Sequence, residues 1–139
     1  MSDCSRRAFN LGLCAASAGL WGCGTSPQAT LTPMGTQLTL SYGQFPSLRS
    51  TGGSAVVAVK DGFPVAVVRT GDTTAVALSA TCTHAACILD VNAGASQLHC
   101  ACHDANFDFS GKVLSGPTVI PLPVYGTTVT PDAVIVDLS

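Results

Sequence analysis

The chain contains no glutamate: all 8 of its acidic side chains are aspartate. Lysine and arginine together number only 6, so the formal net charge at pH 7 is −2. Without Glu–Lys pairs a surface-charged helical bundle has little to stabilise it. With so few cations there is no basic stripe, which argues against nucleic-acid binding. Aromatic residues make up 6% of the chain, and the longest apolar run, Phe9 to Trp21, falls short of the roughly 20 residues that a comfortable membrane helix needs. Disorder is excluded from the other side, because 47% of the residues are hydrophobic and only 10% are charged. What the chain does have is 14 Gly, 8 Pro, abundant Val and Thr, and 7 Cys in 139 residues. That composition points to short strands joined by turns, in one domain with an extension.

The extension is at the start. Ser5-Arg6-Arg7-Ala8-Phe9 places two arginines directly before the apolar run, the layout of an export signal. Paired arginines followed by Phe resemble the twin-arginine class, which carries folded proteins across the bacterial inner membrane. Leu20-Trp21-Gly22-Cys23 resembles a lipoprotein box, although Trp21 stands where a small or aliphatic residue is usual. The expectation is therefore an export signal over residues 1–23 with lipidation at Cys23. Cleavage without a lipid, and an uncleaved anchor, are the alternatives. Residues 24–35, rich in Gly, Thr, Ser, Pro and Gln, read as a polar tether. Cys4 and Cys14 fall within the signal.

From residue 36 to 139 the pattern is all-β. Gln37 to Tyr42 alternates polar and apolar residues, as a half-buried strand does. Ser54–Val59 and Phe63–Arg69 flank Lys60-Asp61-Gly62, a hairpin signature in which Asp-Gly supplies positive φ. Further strands are expected at 74–80, 88–91, 97–100, 119–124, 127–130 and 133–138. Strands this short, with turns this frequent, predict an antiparallel sandwich or barrel. No repeat and no second domain are visible.

Every His, and every Cys beyond the tether, lies between positions 82 and 103. They form two boxes, Cys82-Thr83-His84-Ala85-Ala86-Cys87 and Cys100-Ala101-Cys102-His103. A turn at Asn92-Ala93-Gly94 would bring the boxes side by side. Two Cys and two His could hold zinc, but this leaves Cys87 and Cys102 without a role. A pure disulfide framework leaves the histidines unexplained, and a nucleophilic thiol among three other cysteines would be lost in an oxidising compartment. A fourth reading uses all six residues: in a Rieske [2Fe–2S] centre, two His replace two Cys on one iron.

At this point a family resemblance becomes specific. The boxes resemble those of disulfide-bearing Rieske iron–sulfur proteins, Cys-Thr-His-Leu-Gly-Cys and Cys-Pro-Cys-His-Gly-Ser, and Phe107-Asp108-Phe109-Ser110-Gly111-Lys112 with Gly116-Pro117 resembles the family's stretch after the second box. The resemblance implies a Rieske-type β sandwich or barrel with a small cluster-binding subdomain made of two loops. By matching position, Cys82 and Cys100 would hold one iron of a [2Fe–2S] cluster, His84 and His103 the other, and Cys87 would bond to Cys102. His99 matches no motif position and reads as packing or surface. Three departures bear on reduction potential. Ala105 and Phe107 stand where quinol-oxidising relatives have a Ser and a Tyr that donate to cluster sulfurs, and Asp104 replaces a glycine beside His103. Fewer donors and an added anion disfavour the reduced state, so the expectation is a potential in the lower or middle part of the roughly −150 to +300 mV Rieske range.

The resemblance thus implies a one-electron carrier, exported folded by the twin-arginine route and located in the periplasm or anchored to the membrane through Cys23. Its partners would be a cytochrome or a larger oxidoreductase subunit. The alternatives are the Rieske subunit of an arsenite-oxidase-like molybdoenzyme or of a cytochrome bc-type quinol oxidase, and a zinc-stabilised structural lipoprotein.

Overall fold

The computed structural model describes residues 26–139; the expected export signal, Cys23 included, lies outside the described residues. The alternating segment Gln37–Ser41 forms a strand with Leu38 and Leu40 buried between exposed Gln37, Thr39 and Ser41. Ser54–Val59, Val65–Arg69 and Ala75–Ser79 are instead almost continuously apolar, and all five residues of Val65–Arg69 are buried. The cause is coverage on both faces. Ala55, Val57, Val59, Val65, Val67 and Ala77 point into one core with Leu38, Leu40, Val134 and Val136. Val56, Ala66 and Leu78 point the other way, into a second core with Leu89, Leu98, Cys100 and Phe107.

Numbered in chain order, the strands are β1 (Thr30–Leu31), β2 (Gln37–Ser41), β3 (Ser54–Val59), β4 (Val65–Arg69), β5 (Ala75–Ser79), β6 (Asp90–Asn92), β7 (Gln97–Cys100), β8 (Ala105–Asp108), β9 (Val113–Ser115), β10 (Val124–Val129) and β11 (Ala133–Asp137). The larger sheet runs β1-β3-β4-β5-β10-β11-β2 and the smaller β6-β7-β8-β9. The larger is nearly closed into a barrel around the first core, and the smaller packs over its outer face, enclosing the second. The all-β expectation holds. All pairings are antiparallel except β1 with β3.

Four local expectations need correction. Part of the stretch expected to be a polar tether is sheet: β1 lies along β3, with Gln28 N–H donating to Val56 O at 2.8 Å and Lys60 N–H to Leu31 O at 2.8 Å. Ala29 and Leu31 pack against the barrel core, and that apolar contact holds the segment down. The two strands expected at 119–124 and 127–130 are replaced by a single strand, β10. Pro121 and Pro123 have no N–H to give a ladder, so the chain before Val124 is a loop. Strands β8 and β9 were not expected, since Asn and Asp in Ala105–Asp108 are poor strand formers and the β8–β9 register is irregular at Asn106/Phe107. In the β3–β4 connection Asp61 has φ 59°, while Gly62 is not among the residues with positive φ.

The registers define two poles of the barrel. Val65 pairs with Ser79, Leu78 with Val124, and Gln37 with Asp137, so these residues share one end. Arg69, Ala75, Ser41 and Ala133 share the other. The buried Arg69 closes that second end. Its guanidinium donates to Leu48 O at 2.7 Å, Gly71 O at 2.9 Å and Tyr42 Oη at 3.0 Å, and also to Asp72 O. Both Cys/His boxes sit at the first pole.

Candidate metal centre

The first box leaves β5 and returns as a closed loop. Leu89 N–H donates to Ala80 O at 2.8 Å and Cys82 N–H to Cys87 O at 2.9 Å, with an isolated bridge between Thr81 and Ile88. The second box is the β7–β8 turn, closed by the Cys100–Ala105 pair. Asp104 makes that turn with φ 56°. This backbone conformation favours glycine but is tolerated by Asp, which explains how Asp stands at a glycine position of the motif. The β6–β7 hairpin, through the 3₁₀ turn Ala93–Ala95, sets the two loops side by side. Cys87 and Cys102 join them in a disulfide with Cα atoms 6.5 Å apart.

The remaining four residues separate by depth. Cys82 and Cys100 are free thiols, 3% and 0% exposed, in contact with each other within the second core. Burial pushes the Cys100 thiol above its ordinary pKa, while the N–H groups of His103 and Cys102 donate to its sulfur and oppose that shift. His84 and His103 are exposed, and their rings lie edge to face with centroids 4.4 Å apart. The structure therefore brings together two buried sulfurs and two surface imidazoles, on loops tied by a covalent bond. The sulfurs of Cys87, Cys100 and Cys102 also lie within 4.8 Å of one another, but two of them are consumed by the disulfide.

The donor set fits a [2Fe–2S] cluster: two thiols facing the core and two imidazoles facing solvent can each serve one iron. A third wall comes from the chain after β9. Gly116, at φ 113°, packs on Ala105 so closely that an added Cβ would lie 2.5 Å from Ala105 Cα. Thr83, between Cys82 and His84, meets this wall: its Oγ1 lies 3.0 Å from Thr118 Oγ1 and donates to Ile120 O at 2.8 Å. The Thr83–Thr118 contact is not legible in the sequence, where nothing links residues 35 positions apart.

The residues expected to tune the potential fall in different places. Ala105 and Phe107 are both fully buried against the second core. The Asp104 carboxylate is 89% exposed and turns toward His99, 3.8 Å from Nδ1, where water screens it. His99 is a surface-facing packing residue, its Nδ1 2.9 Å from Asn106 Oδ1 across the β7–β8 ladder. Gln97 Nε2 also donates to Asn106 Oδ1, so His99 carries its proton on Nδ1.

A family model for the Rieske [2Fe–2S] domain matches residues 42–126. The cytochrome b6-f complex iron-sulfur subunit of Prochlorococcus marinus (strain NATL1A) is 30% identical over 92 residues, covering 65% of this chain and 52% of that protein. The corresponding subunit of Synechococcus sp. (strain WH7803) is 32% identical over 92 residues, with the same coverage. This chain spans about half the length of those relatives. Among solved structures, the plasma membrane Rieske protein PetC3 from Synechocystis PCC 6803 is 35% identical with a TM-score of 0.54, covering 61% of this chain and 86% of that one. The ferredoxin of carbazole 1,9a-dioxygenase from Nocardioides aromaticivorans IC177 is 28% identical with a TM-score of 0.58, covering 73% and 95%. Buried thiols, paired surface imidazoles, a linking disulfide and these matches converge: the chain belongs to the Rieske [2Fe–2S] family.

Proposed function

We propose that this protein is a one-electron carrier of the bacterial cell envelope, in which Cys82 and Cys100 hold the inner iron and His84 and His103 the outer one. The observation that carries this reading is the division by depth: both thiols lie in the core, while both imidazoles reach the surface 4.4 Å apart. A [2Fe–2S] cluster bound there supplies a reversible one-electron couple. The chain's own groups do the rest. The core around Cys82 and Cys100 excludes water from the sulfur side, and the N–H groups of Cys102 and His103 direct positive dipoles at the Cys100 sulfur. His84 and His103 form the exit through which a docked partner takes or gives the electron. The loss of Ser and Tyr donors at Ala105 and Phe107 supports a low or middle potential, with the screened Asp104 contributing least.

The twin-arginine motif supports export of the folded, cluster-bearing chain to the periplasm, with closure of Cys87–Cys102 after export. Cys23 is the proposed membrane tether. Because the chain is hydrogen-bonded to β3 from Gln28 onward, residues 24–27 would be the linker, which disfavours a head that swings over long distances. That supports a carrier serving redox proteins over a mobile quinol-oxidising subunit. The second reading, a subunit of a multi-subunit oxidoreductase, draws on the b6-f complex relatives. Potentiometric titration followed by EPR tests the reading: a His-ligated cluster in the lower or middle Rieske range is expected. A potential near the top of the range, falling as pH rises from neutral, or co-purification with a large partner, would favour the second reading. Fractionation of cells carrying Arg6→Lys/Arg7→Lys tests export, and mass analysis of the mature N-terminus tests lipidation.

A further inference from the structure

We propose that Thr118 is a positioning residue for the metal centre: its hydroxyl latches the 116–121 loop across the first ligand loop. This rests on the ligand assignment proposed above. The proton count fixes the direction of every bond. Thr83 has one hydroxyl hydrogen, and it goes to Ile120 O at 2.8 Å. The 3.0 Å contact between Thr83 Oγ1 and Thr118 Oγ1 therefore has Thr118 as donor. Thr118 Oγ1 in turn accepts from Ile120 N–H at 3.1 Å. The three bonds form a closed ring in which each hydroxyl donates once and accepts once, and Thr118 is only 6% exposed.

The ring acts where the metal centre is least supported. Thr83 lies between Cys82 and His84, outside any strand. Past the bridge to Ile88 and the turn closed by Cys82 N–H, its side-chain bonds restrain it from the far side of the site. The other end of the same loop rests on the second box, through the close packing of Gly116 on Ala105. One loop thus grips both boxes, at Ala105 by backbone contact and at Thr83 by hydroxyl chemistry. Removing the Thr118 hydroxyl strips Ile120 N–H of its acceptor and Thr83 Oγ1 of its donor, and leaves the Thr83 hydroxyl to Ile120 O as the one remaining bond of the ring.

The test compares Thr118→Val, which keeps the shape, with Thr118→Ser, which keeps the hydroxyl, in the full chain with cluster bound. Iron release to a chelator should be roughly tenfold faster in Thr118→Val, from the loss of two hydrogen bonds, and its EPR lines should broaden as the ligand geometry spreads. Thr118→Ser should match the wild type in both. Equal release and identical EPR in all three proteins would overturn the proposal. So would a serine variant that behaves like valine, since that assigns the role to the methyl group. Amide exchange in the wild type gives a readout that needs no variant. Ile120 N–H should be protected although it lies in a loop without strand pairing, and fast exchange there would also overturn the latch. A wild-type chain that holds zinc in place of iron would instead refute the underlying [2Fe–2S] reading of the site, and metal analysis distinguishes the two failures.

Discussion

Replacing Cys87 and Cys102 together by serine removes the one covalent link between the two ligand loops. The bond closes a loop with a sequence separation of 15. Restricting a loop of that length in the unfolded chain stabilises the folded state by about 3 kcal/mol. Little offsets this in the variant, because Cys102 is exposed and Cys87 half-buried, so the new hydroxyls reach water. With a urea dependence of about 1.5 kcal/mol per molar, the unfolding midpoint of the cluster-free protein should fall by about 2 M. The loss should be sharper at the metal centre. The β6–β7 hairpin keeps its backbone ladder from Asp90–His99 to Asn92–Gln97, but the loops beyond it lose their tie, so the variant should release iron faster at urea concentrations where the barrel is still folded. Circular dichroism in urea and chelator-trapped iron release measure the two effects separately. A variant with the wild-type midpoint and wild-type iron release would show that the strands alone align the boxes, refuting this role for the disulfide.

Phe107→Tyr restores a donor on the core side of the centre. A bond to the reduced cluster worth about 1.5 kcal/mol raises the potential by roughly 60 mV; voltammetry checks it, and an unchanged or lower value contradicts the tuning reading. Gly116→Ala puts a Cβ 2.5 Å from Ala105 Cα at a φ of 113°, so it should cost about 1–3 kcal/mol and lower the iron content, read by denaturation and metal analysis. Asp108 accepts from Ser110 N–H, Ser110 Oγ–H and Lys112 N–H, and the Ser110 bond above all holds its carboxyl below the ordinary 3.8. Its contribution is fully present above that ordinary value and is lost as pH falls through the lower folded one. Asp108→Asn should therefore flatten the melting temperature of the cluster-free protein in this acid window, and a profile as steep as wild type would show that other groups set it.

The chemistry was legible in the sequence because it resides in residue types that are rare and close together. Six of the seven Cys and His within residues 82–103 make up the candidate site, and the disulfide inferred from the family pattern is the one observed between Cys87 and Cys102. Strands were legible where one pattern held, as at Leu38 and Leu40 or along Ser54–Val59. The failures share a physical cause, which is contact between residues distant in sequence. Thr30–Leu31 becomes a strand only because β3 offers a free edge, and the third wall depends on Gly116 meeting Ala105 and Thr118 meeting Thr83. Asp104 shows the same limit in its electrostatics. Adjacency to His103 suggested a strong anion at the site, whereas the left-handed turn directs its carboxylate outward toward His99.

The most direct test of the ligand assignment is pulsed EPR on the dithionite-reduced full chain, prepared with and without ¹⁵N-labelled histidine, alongside iron, sulfide and zinc analysis. Two irons and two sulfides per chain are expected, with two imidazole nitrogens coupled to the cluster and both couplings changed by the label. Loss of one of the two couplings in each of His84→Cys and His103→Cys would assign them individually. Zinc without sulfide, or a cluster showing no histidine nitrogen, would contradict the assignment of Cys82, His84, Cys100 and His103 as ligands of a [2Fe–2S] cluster.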